Sequence, residues 1–482
     1  MVKECCQVRN LTVLLYFFHS MPLPVIAILD IGKTNKKLFL FDEQYRIVWE
    51  RAESFTDIAD EDGDPCEDVS RLNAWVRDGL TRAQQLPEFD IKAVNFSAYG
   101  ASLAYLDADY RPVGQLYNYL KPFPNALRDQ FYSTYGGSAR LSLQTASPCL
   151  DSLNSGLMLY RIKYDKPTLF DKILYALHLP QYVSFLFTGQ PVTDCTSLGC
   201  HTMLWDFTKQ DYADWVEKEE LADLFGPVTP SDHVVEVPVN SQFMQVGVGL
   251  HDSSAALIPY LSAFKEPFVL LSTGTWCVSM NPFNRKPLTT EELQYDCLNY
   301  LHYGGQPVKA SRLFAGHEHE QQVKRLADHF HVSPDHYTTV AYVPALIDSL
   351  QHRVSEGKAV EFGQKESLIS MTGSVFNDRD LSAFATYELA YHQLMLDVMA
   401  QQLISTNLVI ADSPVERLFV DGGFGKNPIY MNLLAKAFPD IEVYAASVAQ
   451  ASALGAALAI HNHWNTGPMP TNSIDLKLYA TQ

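Results

Sequence analysis

The chain has 482 residues, a formal net charge of −19 and 47% hydrophobic residues. Two large domains are expected, because a chain of this length exceeds one ordinary hydrophobic core. The acidic balance argues against a nucleic-acid partner, since phosphate backbones are bound through Lys and Arg. No stretch reaches the roughly 18 apolar residues of a membrane-spanning helix, so no membrane partner is predicted.

The first twenty residues allow two interpretations. The apolar stretch at 11–18 follows Lys3 and Arg9, which is typical of a signal peptide. Met21, however, starts a chain that enters the first predicted strand directly. We therefore treat residues 1–24 as an uncertain extension, either upstream of the true start or disordered.

The first predicted strands, 25–29 and 38–41, flank the turn DIGKT at 30–34. Its GKT is similar to the end of a Walker A loop, but Ala27 stands where that motif needs glycine, and a strand follows where it needs a helix. A β-hairpin with Lys37 just after its tip is therefore predicted. Its glycine would let backbone amides approach phosphate oxygens. A plain surface hairpin with solvated lysines is the alternative.

The next elements follow from hydrophobic periodicity. A helix is predicted over 69–86 and a single strand over 92–107. Two further helices are predicted over about 152–163 and over 172–189, the second ending at a Thr-Gly pair. A domain boundary is placed near 259–267. After it the pattern of strand, small-residue turn and strand returns, which suggests a duplicated architecture.

The second hairpin is predicted from PFVLLSTGTWCVSMNP, whose turn contains Ser272, Thr273, Gly274 and Thr275. Taken alone it is an ordinary Ser/Thr-rich turn, but the earlier hairpin makes a paired phosphate site the better interpretation. Trp276 beside it is interpreted as a core residue.

A strand, a Gly422-Gly423 turn and a helix are predicted near the end of the chain. Asn427 is expected as the N-cap of this helix and Pro428 as its first residue. A last strand and an Ala-rich helix follow. Gly455 inside that helix costs about 1 kcal/mol relative to Ala, which suggests tight packing against another element.

The eight cysteines are scattered along the chain. Cys195 and Cys200 have no matching His or Cys pair at zinc-site spacing. Free thiols in a reducing compartment are the simpler interpretation, so a cytoplasmic location is predicted.

From Val25 to about His463 the chain resembles the FGGY carbohydrate kinases of the actin-like ATPase superfamily. The two hairpins, the glycine turn and the segment HDSS at 251–254 resemble that family's phosphate hairpins, adenosine turn and catalytic segment. The resemblance implies an α/β fold with two ribonuclease-H-like domains, 25–262 and 263–482, and a nucleotide cleft between them. It also implies ATP, Mg²⁺ and a small-molecule sugar as ligands, and leaves a homodimer open.

Within the family, the ketose kinases acting on rhamnulose and fuculose look nearest, on the basis of STGTW, HDSSA and LHLPQYVSFLFTGQPVTD. Three departures leave the sugar open. The segment at 448–452 reads VAQAS, where the family usually carries a Glu. Ser102 stands where rhamnulose kinases typically place an Asp, and YNYLKPFP where the family has an Asp-x-Arg segment.

The resemblance also implies roles for single residues. Asp30 would hold magnesium, largely through water. The orientation of Lys33 is not predicted. Nucleotide contacts would come from both halves: Gly32, Thr34, Lys37, Ser272, Thr273, Gly274, Thr275, Gly422, Gly423 and Asn427. The sugar pocket would be lined by Ser97, Tyr99, Gly100, Ser102, His251 and Asp252.

Asp252 would be the general base, since an ionised carboxylate at a helix N-terminus can accept the proton of a sugar hydroxyl. A helix N-cap is the structural alternative. His251 is interpreted as a structural histidine rather than a base. Two other functions stay open: a non-catalytic actin-like ATPase or sugar sensor, which needs no base, and a duplicated α/β scaffold without nucleotide.

Overall fold

The computed structural model describes residues 21–239, 242–353, 374–448 and 450–480. The predicted extension therefore lies outside the described residues over 1–20. The described chain forms two seven-stranded sheets, one in each half, covered by helices. This confirms the predicted α/β class.

The first half is built mostly from short elements around one main sheet. Its strands are β1 (Leu23–Ile31), β2 (Asn35–Asp42), β3 (Ile47–Ser54), β4 (Ile58–Ala59), β5 (Pro65–Glu67), β6 (Phe89–Ala98), β7 (Leu103–Leu106), β8 (Leu116–Tyr117), β9 (Tyr175–His178), β10 (Thr193–Asp194), β11 (Trp205–Asp206), β12 (Asp211–Tyr212), β13 (Val228–Thr229), β14 (Val234–Val239), β15 (Gln242–Gly247) and β16 (Leu250–His251). Its α-helices are α1 (Val69–Gln84), α2 (Asn125–Thr134), α3 (Ser138–Thr145), α4 (Ser155–Asp165), α5 (Pro167–Phe170), α6 (Leu179–Thr188), α7 (Cys195–Leu198), α8 (Asp214–Lys218) and α9 (Asp252–Ala263).

The main sheet of the first half has the order β14-β15-β6-β1-β2-β3, with β16 also paired to β6. β1, β2 and β3 form an antiparallel meander, whereas β6 runs parallel to β1 and to β16. The carboxyl ends of β1, β6 and β16 therefore meet at one edge. There the register pairs Asp30 with Ser97, and His251 with Ala98. This edge brings together residues that are far apart in sequence.

The second half repeats this plan with a second set of elements. Its strands are β17 (Phe268–Thr273), β18 (Cys277–Asn281), β19 (Cys297–Leu301), β20 (Pro307–Leu313), β21 (Arg417–Gly422), β22 (Glu442–Ser447) and β23 (Asp475–Tyr479). Its α-helices are α10 (Thr290–Gln294), α11 (Ala315–Phe330), α12 (Pro344–Arg353), α13 (Tyr387–Ile410), α14 (Pro428–Ala437) and α15 (Ala451–Ala459).

The second sheet has the order β19-β20-β18-β17-β21-β22-β23. β17 pairs antiparallel with β18 on one side and parallel with β21 on the other. β17 thus occupies the place that β1 has in the first sheet, and the predicted duplication is confirmed. The parallel register sets Ser272 beside Asp421 and Thr273 beside Gly422, so the second hairpin and the glycine turn are neighbours.

Two predicted elements of the first half are wrong. The single strand over 92–107 is two strands, β6 and β7, because the chain turns at 99–102 and β7 pairs with β9 instead of extending β6. The helix over 172–189 is the strand β9 followed by the helix α6. Pro180 fits the first turn of α6, where its missing N–H costs nothing, so the apolar run changes from strand to helix there.

Other predicted elements agree closely with the structure. The helix predicted over 69–86 is α1, capped by Asp68. The helix predicted over 152–163 is α4, which begins at Ser155 after a 3-10 turn. The stop after α6 is Gly189, which takes a left-handed φ of 64°.

The helix α15 of the second half packs against α9, β1 and β6 of the first. A Cβ built on Gly455 would lie 1.8 Å from the carbonyl oxygen of Ala255, so the predicted tight packing at this glycine is confirmed. Asn95 Nδ2, from β6, donates to the Ala456 carbonyl at 2.8 Å. The two halves are thus joined close to the sheet edge that carries Asp30.

Within the described part of the chain, the helices are all too short or too polar to cross a membrane.

Candidate functional site

The tip of the first hairpin connects β1 directly to β2. The Gly32 amide donates to the Asn35 carbonyl at 3.0 Å, which closes the turn, and β2 begins at Asn35. A strand follows the GKT sequence, so the prediction that it is not a Walker A loop is confirmed. Gly32 is half-buried and Thr34 is exposed at the tip.

The three lysines of this hairpin point to different surroundings. Lys33 Nζ pairs with Asp57 Oδ1 at 3.0 Å on the outer side of the tip. Lys37 Nζ donates to Gln450 Oε1 at 3.0 Å, so it contacts the residue just before α15. Lys36 lies between them in sequence and is fully buried, because neighbouring residues of a strand face opposite sides. Sequence reasoning missed Lys36.

Asp30 is a half-buried carboxylate at the end of β1, directly across from Lys37. Its Oδ1 accepts from Ser452 Oγ at 3.2 Å. Burial and then the charge of Asp252 raise the pKa of Asp30 to about 6, against the opposing effects of the Ser452 and Ser97 hydroxyls and the Lys37 charge. The protein therefore leaves the negative charge of Asp30 incompletely compensated, which suits a cation.

Asp252 is the first residue of α9, and its side chain is 37% exposed. Its Oδ1 accepts from the Ser253 amide at 2.6 Å and from Ser253 Oγ at 3.2 Å. The N-cap position belongs to His251, so the alternative that Asp252 is the N-cap is wrong. The carboxylate still lies in the first helical turn, where the helix dipole favours its charge. It is open to a substrate hydroxyl.

His251 is buried, and its Nε2 lies 3.2 Å from Asp252 Oδ1. Its amide donates to Thr196 Oγ1 at 2.9 Å, and its ring packs edge-on against Tyr300 at 5.4 Å between centroids. Burial lowers the pKa of His251, opposed by the Asp252 charge. Its burial and its contacts with Thr196 and Tyr300 favour the structural role predicted for it.

Of the other predicted sugar residues, Ser97 lies near the end of β6 beside Asp30, whereas Tyr99, Gly100 and Ser102 lie in the turn at 99–102. Tyr99 is buried, and its hydroxyl donates to Glu67 Oε2 at 3.0 Å. Burial, followed by the Glu67 charge, raises the pKa of Tyr99 well above 10, so it stays a phenol. Gly100 packs on His251, since a Cβ there would lie 2.7 Å from ring carbon Cδ2. Ser102 is buried, and its carbonyl accepts from the Leu179 amide.

The second hairpin is fastened by the side chain of Thr273. Its Oγ1 donates to the Asp421 carbonyl at 2.6 Å and accepts from the Phe424 amide at 3.0 Å. This places the glycine turn against the end of β17. Gly274 and Thr275 form the exposed tip of the hairpin.

A cavity of about 750 Å³ opens beside this tip. Five predicted nucleotide residues line it: Thr273, Gly274, Thr275, Gly423 and Asn427. Ser272 and Gly422 lie outside its lining. Sequence reasoning missed the opposite wall, since α11 and the loop after it carry no phosphate-type motif: Gly316, His319, Glu320, Val323, Lys324, Pro334, Asp335, Tyr337 and Thr338.

Two residues of the glycine turn are fixed by local structure. Gly422 has φ of 95°, and a Cβ there would lie 2.0 Å from the Thr273 carbonyl oxygen. Asn427 caps α14, as predicted, because its Oδ1 accepts from the amides of Ile429 and Tyr430 at 3.0 and 3.1 Å. A contact of Asn427 with adenosine stays a prediction.

A second cavity, of about 920 Å³, lies between the halves. One wall comes from 119–123 and 148–153, and the other includes Trp276, Arg312 and Phe314. The Trp276 ring is half-buried and lies 4.5 Å from the Phe314 ring. The interpretation of Trp276 as a core residue is therefore wrong, because it lines a cavity. The segment YNYLKPFP, where the family pattern departs, supplies part of the first wall.

Arg312 is a charged residue of this cavity that sequence reasoning missed. It is buried on β20 and binds Asp296 with two hydrogen bonds, Nη2 to Oδ1 at 2.8 Å and Nε to Oδ2 at 3.2 Å. Its guanidinium lies 5.2 Å from the Trp276 ring centroid. Its signal in the sequence is a charge inside the strand PVKASRL, and Lys309 of the same strand carries that signal too.

Among the described residues, one trio of metal-ligating side chains converges: Asp60, Asp62 and Asp64. Lys121 Nζ forms ion pairs with all three, at 3.0 Å to Asp62 and 2.7 Å to Asp64. The ammonium group supplies the positive charge that a cation would bring. This trio is therefore a closed ion-pair cluster and does not fit a magnesium site.

Two family models cover most of the chain. Residues 25–257 match the N-terminal domain of the FGGY family of carbohydrate kinases, and residues 265–468 match the FGGY C-terminal domain. The chain belongs to the FGGY family of carbohydrate kinases. The predicted family is confirmed, and the enzyme class of the family is carbohydrate kinase.

Curated relatives of this FGGY chain are distant in sequence. It is 22% identical over 286 residues to a rhamnulokinase of Halalkalibacterium halodurans, covering 57% of this chain and 59% of that protein. It is 22% identical over 249 residues to a rhamnulokinase of Oceanobacillus iheyensis, covering 50% and 51%. The match thus spans little more than half the length of these relatives.

Solved structures of carbohydrate and xylulose kinases share the fold along nearly the whole chain. A carbohydrate kinase from Novosphingobium aromaticivorans has a TM-score of 0.75 at 23% identity and covers 95% of both chains. A ligand-bound xylulose kinase from Lactobacillus acidophilus has a TM-score of 0.76 at 15% identity, covering 95% of this chain and 94% of that one. The predicted two-domain, actin-like ATPase fold is confirmed.

Proposed function

We propose that this FGGY chain is an ATP-dependent ketose kinase, which transfers the γ-phosphate to a hydroxyl of a pentulose or hexulose, 6-deoxy forms included. Asp252 is the general base in this proposal. The observation that carries it is a 37% exposed carboxylate in the first turn of α9, beside the sheet edge that holds Asp30. The Asp252 charge raises the pKa of Asp30, so the two carboxylates share one small region.

ATP fits the cavity beside the second hairpin. Its volume of about 750 Å³ falls in the range of about 300–1,000 Å³ typical of small-molecule sites. Gly274 and Gly316 approach so closely that a Cβ on Gly316 would lie 1.8 Å from the Gly274 carbonyl oxygen. This close approach joins the two walls of the cavity at the hairpin tip. The exposed tips, at Thr34 and at Gly274 and Thr275, are the proposed phosphate contacts.

Asp30 fits a magnesium role because burial and the Asp252 charge leave its own charge poorly compensated, although Lys37 lies across from it. Magnesium usually binds kinases through one or two carboxylates plus substrate phosphates, and a full cage of side chains is not needed. When bound, the cation would neutralise charge that develops on the transferring phosphate.

Asp252 would act on the sugar hydroxyl. The hydroxyl proton passes to the carboxylate, the hydroxyl oxygen attacks the γ-phosphorus, and ADP leaves. The helix dipole favours the negative charge of a carboxylate in the first turn. The Ser253 amide, 2.6 Å from Oδ1, would hold the orientation of the carboxylate during this transfer.

The ketose class is supported by names among the relatives. Two are rhamnulokinases and several similar structures are xylulose kinases, and rhamnulose and xylulose are both ketoses. Other similar structures are a gluconate kinase and a glycerol kinase with ADP, so those acceptors are the natural comparators. The predicted cytoplasmic location, the homodimer and the domain limits 25–262 and 263–482 stay predictions.

The test is a coupled ADP-release assay over a panel of pentuloses, hexuloses and their 6-deoxy forms, with gluconate and glycerol alongside. We expect one ketose to release ADP in proportion to sugar phosphate measured by mass spectrometry. Release with gluconate or glycerol alone would contradict the ketose class. ADP release without any acceptor would instead favour an actin-like ATPase that phosphorylates no sugar.

A further inference from the structure

A buried ion pair lies directly behind the first hairpin tip. Lys36 and Glu67 are both buried, and Lys36 Nζ lies 2.7 Å from Glu67 Oε1. Lys36 comes from β2 and Glu67 from β5, so the pair ties the hairpin to a separate small sheet. Neither residue has a part in the proposed phosphoryl transfer.

Lys36 uses its ammonium group to hold the tip from inside. Nζ donates to the carbonyls of Gly32 and Lys33, each at 3.0 Å. The ion pair with Glu67 is the third polar contact of the same ammonium group. The carbonyls of Gly32 and Lys33 are thus held inward, and the orientation of the peptide units at the tip is fixed.

Glu67 extends the connection to the predicted sugar turn. Its second oxygen, Oε2, accepts the Tyr99 hydroxyl at 3.0 Å. The next residue, Gly100, packs on the ring of His251, which precedes Asp252. A continuous series of contacts therefore runs from the phosphate tip to the residue beside the proposed base.

The cost of this arrangement argues that position matters here. Two charges must lose their hydration on burial, and well-packed apolar residues of similar size often stabilise a protein as much or more. The hairpin already closes through the Gly32 amide, so the pair is not needed to form the turn. A buried polar network of this kind does, however, favour one geometry where apolar packing allows several.

We propose that Lys36 and Glu67 are positioning residues for phosphoryl transfer, holding the first phosphate tip in register with the Tyr99–Gly100 turn and hence with Asp252. This inference rests on the proposed kinase function. It predicts that loosening the pair slows transfer while ATP binding in the cavity of the second half is unchanged.

The chain offers a matched control. Lys163 Nζ lies 2.7 Å from Glu219 Oε2, and the Tyr164 hydroxyl donates to the same oxygen at 3.0 Å. This Lys–Glu–Tyr group repeats the chemistry of Lys36, Glu67 and Tyr99 outside both cavities. The variants are Glu67→Gln and Glu219→Gln, each leaving a lysine without its carboxylate.

We expect Glu67→Gln to lower kcat about tenfold or more, with KM and Kd for ATP within twofold of wild type. Glu219→Gln should keep the wild-type kcat even if its melting temperature falls as far as that of Glu67→Gln. Equal kcat losses in the two variants, or a wild-type kcat in Glu67→Gln, would overturn the proposal.

If Glu67→Gln fails to fold, the double variant Lys36→Met with Glu67→Gln removes both charges and leaves none unpaired. It should fold and still show the loss of kcat. A double variant with the wild-type kcat would overturn the proposal as clearly as the single one.

Hydrogen exchange separates this inference from the kinase function. In Glu67→Gln, amides at 32–35 and 98–101 should exchange faster than in wild type, whereas in Glu219→Gln they should not. If the wild type phosphorylates no acceptor, the proposed function fails, but the exchange result still decides whether the pair holds the two segments. Unchanged exchange in Glu67→Gln would overturn it.

Discussion

The two hairpins occupy equivalent places in their sheets but are fastened by different chemistry. A buried ammonium group, Lys36, holds the first tip through two carbonyls. The second tip is held by a hydroxyl, since Thr273 Oγ1 joins the Asp421 carbonyl and the Phe424 amide. The first tip is surrounded by three lysines, whereas the second, at 272–276, contains none.

This difference suggests that the duplicated fold divides the work. In the proposed mechanism the first half supplies charge: Asp30 for a cation, Lys37 for phosphate and Asp252 for the proton. The second half supplies shape, because its tip and glycine turn form a close-fitting wall around a cavity. Substitutions should therefore act through charge in the first half and through steric fit in the second.

The largest effect is expected at Asp252, the proposed general base for the sugar hydroxyl. Asp252→Asn keeps the volume and removes the base, so kcat should fall about 100- to 10,000-fold, the usual worth of general base catalysis. ATP affinity and melting temperature should change little. Steady-state kinetics and ATP titration test this, and a variant that keeps most of its kcat would exclude Asp252 as the base.

Asp30→Asn should lower activity about 10- to 100-fold, the usual loss for a group that orients a metal through its bound ligands. It should also stabilise the protein at pH 7. The pKa of Asp30 is about 6 against an ordinary 3.8, so its stabilising effect is present below about pH 4 and is lost as the pH rises through about 6.

The gain in melting temperature of Asp30→Asn should therefore be present at pH 7 and shrink towards pH 4. Asp57→Asn, on the outer side of the same tip, is the control and should give no such gain. A constant difference between pH 4 and pH 7 would mean that Asp30 does not titrate as described. In the wild type, the Mg²⁺ needed for half-maximal activity should rise as the pH falls through about 6.

Much of this site could be predicted because its residues lie in short local motifs. The GKT tip, the STGT turn and the helix start at Asn427 each follow from spacing and turn chemistry. Lys36 could not be separated from Lys33 and Lys37 in the same way. Which lysine is buried depends on Glu67, a residue of another small sheet, and no local pattern carries that pairing.

The second cavity was unpredictable for a similar reason. Its walls come from 119–123 and 148–153 of one half and from Trp276 and Arg312 of the other, and they meet only when the two halves pack.

The sequence at 99–102 predicts a strand because its residues are aromatic or small. In the structure β6 ends at Ala98, because the following strand β7 pairs with β9, a segment distant in sequence.

The glycines of the two halves give a steric test. Gly422→Ala must adopt a φ near 95°, and its new Cβ would lie 2.0 Å from the Thr273 carbonyl oxygen. It should lose about 1–3 kcal/mol of unfolding free energy from the backbone alone. Gly32→Ala meets the Asn35 oxygen at 3.1 Å and should cost less than about 1 kcal/mol. Urea denaturation measures both unfolding free energies. Equal losses in the two variants would contradict the assignment of charge to the first half and steric fit to the second.

The smallest effects separate the lysines of the first tip. Lys37 lies across from Asp30 and contacts only a neutral partner in Gln450 among its described hydrogen bonds, so its charge is available to phosphate. Lys37→Ala should lower kcat about tenfold, comparable to losing one charged hydrogen bond of about 1.5 kcal/mol.

Lys33 is paired with Asp57 on the exposed side, where an ion pair is worth about 0–1 kcal/mol. Lys33→Ala should therefore keep kcat within about twofold at saturating ATP and sugar. The reverse order, with Lys33→Ala inactive and Lys37→Ala near wild type, would show that the phosphates bind on the outer side of the tip.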